Sequence, residues 1–123
     1  LPYKGDVLSR KNVIYGYLAF DAVSIGASQT SSEIEVGGED YGSIYLFWTG
    51  SSPVGTLEVQ AKNGANGTYR ALDFGSTISI SGASGNHDLI LNELPFTHLK
   101  LVYTRSSGTG SLTANVTLKS KGA

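Results

Sequence analysis

The acidic side chains are the first place to look for chemistry in this sequence. Glu33, Glu35, Glu39, Asp40, Glu58, Asp73, Asp88 and Glu93 are spread along it. A glycosidase needs two such carboxyls flanking a sugar. Most of these lie at outward strand positions or in turns, where a solvated charge is ordinary. The group from Glu33 to Asp40 offers oxygen ligands to calcium, but without the dense Asp/Asn alternation of a strong calcium loop. The two histidines, His87 and His98, with Asp88 nearby, fit no zinc spacing. A nucleophile elbow, a His-Glu-x-x-His pair and a phosphate-cradling glycine loop are all missing. We therefore expect no catalytic residue, no metal site and no cofactor: the chain reads as a protein that is not an enzyme.

Binding is the other chemistry on offer. Aromatic rings stack on the apolar faces of pyranoses, and Trp48, Tyr45, Phe47, Tyr69 and Tyr103 are the rings to consider. Trp48 alternates with Leu46, and Tyr103 with Leu101, so both read as core. Tyr69 follows the turn-forming run Asn63-Gly64-Ala65-Asn66-Gly67 and is expected to be exposed. With Asn66 and Asp73 it makes the expected ligand-binding group. Asn66-Gly67-Thr68 and Asn115-Val116-Thr117 are formal glycosylation sequons, which arise by chance in β proteins rich in Asn and Thr.

The elements that would carry these residues are organised by a repeat. Trp48-Thr49-Gly50-Ser51-Ser52-Pro53-Val54-Gly55-Thr56-Leu57 matches Tyr103-Thr104-Arg105-Ser106-Ser107-Gly108-Thr109-Gly110-Ser111-Leu112. Each copy is an alternating strand, a Gly/Ser-rich run and a second alternating strand. That pattern predicts two equivalent β-hairpins with longer loops. Other strands are expected over 33–36, 68–74, 77–81 and 87–92, with the apolar run 13–20 as a further one. Residues 43–49 are apolar on both faces, which predicts a covered or central strand. Strands recur every eight to twelve residues or so, as in all-β sandwiches and barrels. The expected fold is an all-β, antiparallel two-sheet β-sandwich of jelly-roll type with eight to nine strands, a closed barrel being the alternative.

At 123 residues the chain makes one core. Nine basic and ten acidic residues leave no excess to attract nucleic acid. No run approaches the ~20 apolar residues of a membrane span, and we expect neither membrane insertion nor a signal peptide. Methionine and cysteine are absent, which predicts a processed or recombinant fragment and excludes disulfides. Residues 1–20 are expected to form an N-terminal arm or edge strand, and 21–123 the β-sandwich domain. Val13, Ile14, Tyr15, Tyr17, Leu18 and Phe20 offer apolar groups on both sides of one strand. Either the strand is central within its own domain, or those groups reach a neighbouring subunit. We expect the second, in a closed homo-oligomer, a trimer before a dimer.

Two stretches carry a resemblance. Residues 55–63 (Gly-Thr-Leu-Glu-Val-Gln-Ala-Lys-Asn), followed by a Gly/Asn turn and Tyr69, are one. Residues 99–112, with Val102-Tyr103-Thr104-Arg105 leading into Ser107-Gly108-Thr109-Gly110, are the other, and the chain closes on Lys119-Ser120-Lys121-Gly122. These resemble a small β-sandwich module of tailed-bacteriophage virion structural proteins. The likeness spans roughly residues 21–122; Lys62 and the stretch around Leu94-Pro95-Phe96 depart from it. It implies a non-enzymatic decoration, spike or fibre module located in the virion. It also implies contacts with copies of itself and with other virion proteins. The alternative is a carbohydrate- or receptor-binding module that meets a host-surface glycan.

Overall fold

The computed structural model describes residues 14–37, 39–72 and 78–120. Every regular element among them is a strand: β1 (Ile14–Ser24), β2 (Gln29–Thr30), β3 (Ile34–Glu35), β4 (Tyr41–Lys62), β5 (Arg70–Ala71), β6 (Ile78–Ser81), β7 (Ser84–Leu91) and β8 (His98–Lys119). All pairings are antiparallel. Hydrogen bonds join the eight strands into a single sheet. Of the expected Thr68–Phe74 strand, the described residues 68–72 are strand only at Arg70–Ala71, because residues 63–69 fold as turn and loop.

The repeat is real, but it does not build hairpins. Each copy runs straight through its Gly/Ser segment as one strand of 22 residues, β4 and β8. The two copies pair with each other from Tyr41↔Lys119 to Lys62↔His98. The pairing is reciprocal: Trp48 of the first copy faces Leu112 of the second, and Leu57 faces Tyr103. The ladder therefore has a local pseudo-two-fold axis at its middle. This is the isologous rule in which position i meets j and j meets i, here within one chain.

What read as a turn is a bend. Register shifts fall between Ser51 and Gly55, Ser52 has φ 50 and Gly108 has φ 78. An inserted residue of this kind kinks a strand and raises its twist. It also moves the inward set from one parity to the other. In β4, Ile44, Leu46 and Trp48 are buried before the bend, and Leu57, Val59 and Ala61 after it. In β8 the same switch separates Leu99, Leu101 and Tyr103 from Leu112, Ala114, Val116 and Leu118. Neighbouring strands break at the same level. β6 pairs with the second half of β4 and β7 with the first, separated by Gly82 at φ 86. The Gly50 amide donates to the Ala83 carbonyl there (2.9 Å), and the Ile25 amide to that of Gly110 (2.9 Å). The inward residues of both arms belong to one buried cluster, with Phe20, Ile25, Ile34, Ile80 and Leu91 closing it.

β1 pairs with the second half of β8 and stands at one end of the strand order. It is a single strand through Ser24. Two register irregularities and Ala22 at φ 49 bend its far end, as bulges commonly do at edges.

Candidate interaction surface

Tyr69 is half-buried and engaged within the chain. The loop 63–69 lays it across the outer face of the second arm of β4 and β8. Its hydroxyl donates to Glu33 Oε2 at 2.6 Å. Lys100 Nζ lies 4.2 Å from the ring centroid and Lys62 Nζ 5.0 Å. Lys62 also pairs with Glu33 Oε2 at 2.9 Å and donates to the Ala65 carbonyl at 3.2 Å. The phenol hydrogen bond, then Lys62, holds the Glu33 carboxyl below the usual carboxylate value. Burial, with the adjacent carboxylate, pushes the Tyr69 phenol well above its ordinary value, so it stays protonated. The arrangement clamps the loop to the residue that leads into β3. Cation–π contacts at exposed sites contribute about 0.5–1 kcal/mol each.

Asn66 is exposed in the turn, beside a shallow cavity of about 310 Å³ lined by Lys62, Asn63, Gly67, Thr68 and Arg70. Asp73 lies outside the described residues. The structure thus leaves the expected ligand group as an engaged ring and a turn amide. Lys62, the departure from the resemblance noted above, turns out to be the centre of the clamp.

Trp48 and Tyr103 lie in the core. The Trp48 indole N–H donates to the Ser81 carbonyl at 3.0 Å, and its ring occupies the space that a side chain at Gly85 would need. The Tyr103 ring lies over Gly55 in the same way. Its hydroxyl is buried with no hydrogen-bond partner, and burial raises its pKa. His98 Nδ1 is 2.8 Å from Thr97 Oγ1, and His87 stands opposite Leu46 on β7. No group of three metal-ligating side chains occurs among the described residues.

The other rings considered, Tyr45 and Phe47, have a different setting. The sequence predicted a covered or central strand; β4 is central, and this outer face is open. Both rings are 39% exposed, with centroids 5.6 Å apart and planes inclined by 38°. Cross-strand register supplies their neighbours. Tyr45 sits between Asn115 and Asp88, Phe47 between Thr113 and Asn86, and Ser43 between Thr117 and Ile90. Ile90 is 61% exposed, and Leu18, beyond Asn115 on β1, is 52% exposed. Ser43 is small and leaves a depression of about 220 Å³, lined by Tyr41, Gly42, Ser43, Ile90, Thr117 and Lys119. Ile90 had no signal in the sequence, because the inward Leu89 and Leu91 mask its alternation.

Of the residues expected to meet a neighbouring subunit, Val13 lies outside the described residues. Ile14 and Tyr15 belong to β1. Tyr17 is half-buried and packs against the core, Phe20 is in the core, and Leu18 is exposed. Of those whose side chains are described, Leu18 is the group left on the surface.

No family model matches the sequence, and no curated protein matches it. Solved structures do share the fold. The SPBc2 prophage-derived protein YomS superposes with a TM-score of 0.60 at 16% identity, over 94% of this chain and 100% of that one. A chain of infectious bursal disease virus, Gx strain, gives a TM-score of 0.60 at 17% identity, over 92% of this chain and 34% of that one. A chain of the T13 viral particle of the same virus gives 0.56 at 16% identity, over 98% and 35%. This chain spans about a third of the length of those two viral chains and the whole of the prophage protein. At these identities the likeness establishes a common all-β fold, shared with a prophage protein and with proteins of virus particles.

Proposed function

We propose that this chain is a non-enzymatic structural module of a phage or virus particle, working through protein–protein contacts. One observation carries the reading: nearly the whole chain superposes on a complete prophage-derived protein and on part of a virus-particle chain. Among the described residues, the side chains whose pKa values are displaced are engaged in the fold, Glu33 and Tyr69 in the loop clamp and Tyr103 in the core. That supports a structural role over a catalytic one. We further infer that the sheet closes at its line of bends into a two-layer jelly-roll sandwich, because both arms share one core. The protein assembles as a closed homo-oligomer, a trimer by preference, with the β1 edge and Leu18 at the contact, and meets other virion proteins as a decoration, spike or fibre part.

Sedimentation of the native chain beside Leu18→Lys tests this. Leu18 contributes little to the core, so the variant should keep the native circular dichroism spectrum while it sediments as a smaller species. Equal masses for both proteins would remove β1 from the contact.

A second reading, a carbohydrate- or receptor-binding module, is favoured by the open face around Tyr45 and Phe47.

A further inference from the structure

We propose that the outer face of β4 between β7 and β8 binds a neutral pyranoside chain, with one sugar in the depression at Ser43 and the next against Tyr45 and Phe47. This deepens the carbohydrate reading and does not depend on assembly. A pyranose offers two recognition features: a face of C–H groups and a rim of hydroxyls. The face needs a fixed aromatic ring, and the rim needs donors and acceptors at the ring's height. Strand register supplies both. Tyr45 and Phe47 follow each other on one face of a central strand, about 6–7 Å apart along the backbone. Asn115 and Asp88 flank the first ring, Thr113 and Asn86 the second. Residues directly opposite across strands hold their Cβ atoms about 4.5–5.5 Å apart, which sets amide, carboxylate and hydroxyl groups beside each ring. The next step along β4 is Ser43, where Thr117 and Ile90 wall the depression of about 220 Å³. Rings and depression thus form one continuous line on a rigid ladder.

The chemistry favours a glycan over a second copy of the chain. The core of a protein interface is depleted in charged groups, whereas here each ring has hydrogen-bonding side chains on both sides, a carboxylate among them. The charges bordering the line, Asp88 and Lys119, are of opposite sign, so the face selects a neutral ligand.

The test is a heteronuclear NMR titration of the full chain with cellotetraose, maltotetraose and chitotetraose at millimolar concentration. At least one should shift the amides of residues 41–49, 84–91 and 113–119. Phe47→Thr and Tyr45→Thr, which keep strand preference, should weaken that response at least about tenfold, the equivalent of 1.4 kcal/mol. Ser43→Tyr, which fills the depression and leaves both rings, should weaken it as well. Tyr69→Phe should leave it unchanged. The proposal is overturned by a spectrum that none of the three sugars perturbs, by shifts confined to residues 63–70, or by a folded Phe47→Thr chain that retains the native affinity. If no sugar acts and Phe47→Thr instead lowers the mass in solution, the face belongs to a second copy. A monomeric native protein that binds sugar leaves this inference standing and removes the assembly reading alone.

Discussion

Single residues set the two ends of the stability scale in this protein. The Tyr103 hydroxyl is fully buried without a partner, and an unsatisfied buried hydroxyl costs about 1–3 kcal/mol. Tyr103→Phe should therefore raise stability by about 1 kcal/mol in a urea titration; a loss would mean that the hydroxyl has a role in the core. Trp48 is the opposite case. It fills space beside Gly85 and satisfies the Ser81 carbonyl, so Trp48→Ala should cost about 3–5 kcal/mol. Glu33 gives a pH signature. Its pKa is lowered from 4.5 by the Tyr69 phenol and Lys62, so its stabilisation is present above the ordinary value and lost as pH falls through the lowered one. The native urea midpoint should drop over that window, and Glu33→Gln should lack that part of the drop. These partners were not legible in the sequence. Tyr69 could be singled out after its turn, but the lysines and glutamate that engage it come from three other stretches of the chain.

At the scale of elements, the strands were legible and their partners were not. Alternation at Leu57, Val59 and Ala61, and at Leu112, Ala114 and Val116, is a local property, and the structure buries those side chains as expected. A Gly/Ser run between two alternating segments fits a reversal of the chain and also a bend in a continuous strand. Pairing decides between them, and it is set by contacts remote in sequence: Leu57 meets Tyr103, not a residue of its own copy. The bend has its own requirements. Gly108 has φ 78, and a Cβ there would meet the Ser52 carbonyl oxygen and Pro53 Cα. A left-handed residue bearing a Cβ costs roughly 1–2 kcal/mol before any overlap is counted. Gly108→Ala should thus destabilise by more than about 2 kcal/mol, whereas an ordinary surface substitution stays within roughly ±0.5 kcal/mol. A neutral Gly108→Ala in thermal denaturation would mean that this bend is not needed. That Tyr45 and Phe47 lie at the surface was not legible either. An alternating strand apolar on both faces normally has both covered, and only the register shows that the neighbours of these rings are polar.

For the whole molecule, the all-β class and the antiparallel pairing followed from composition and spacing, because many short alternating runs with sixteen glycines leave few other folds. A single sheet bent about a pseudo-two-fold axis did not, since a repeat in sequence is silent on whether its copies pair internally or with each other. Most pairing here joins distant segments, so refolding should be slow for the chain's size, in the millisecond-to-second range typical of such topologies; stopped-flow refolding in the microsecond range would contradict it. The functional reading rests on the fold shared with a prophage-derived protein and with part of a virus chain, and on the exposed Leu18 of an edge strand. Its most direct test is the mass of the full chain in solution, measured by light scattering over a wide range of concentration. We predict a constant mass of three times the chain's 12.9 kDa. A mass of 12.9 kDa that persists at the highest concentration would contradict the proposed assembly.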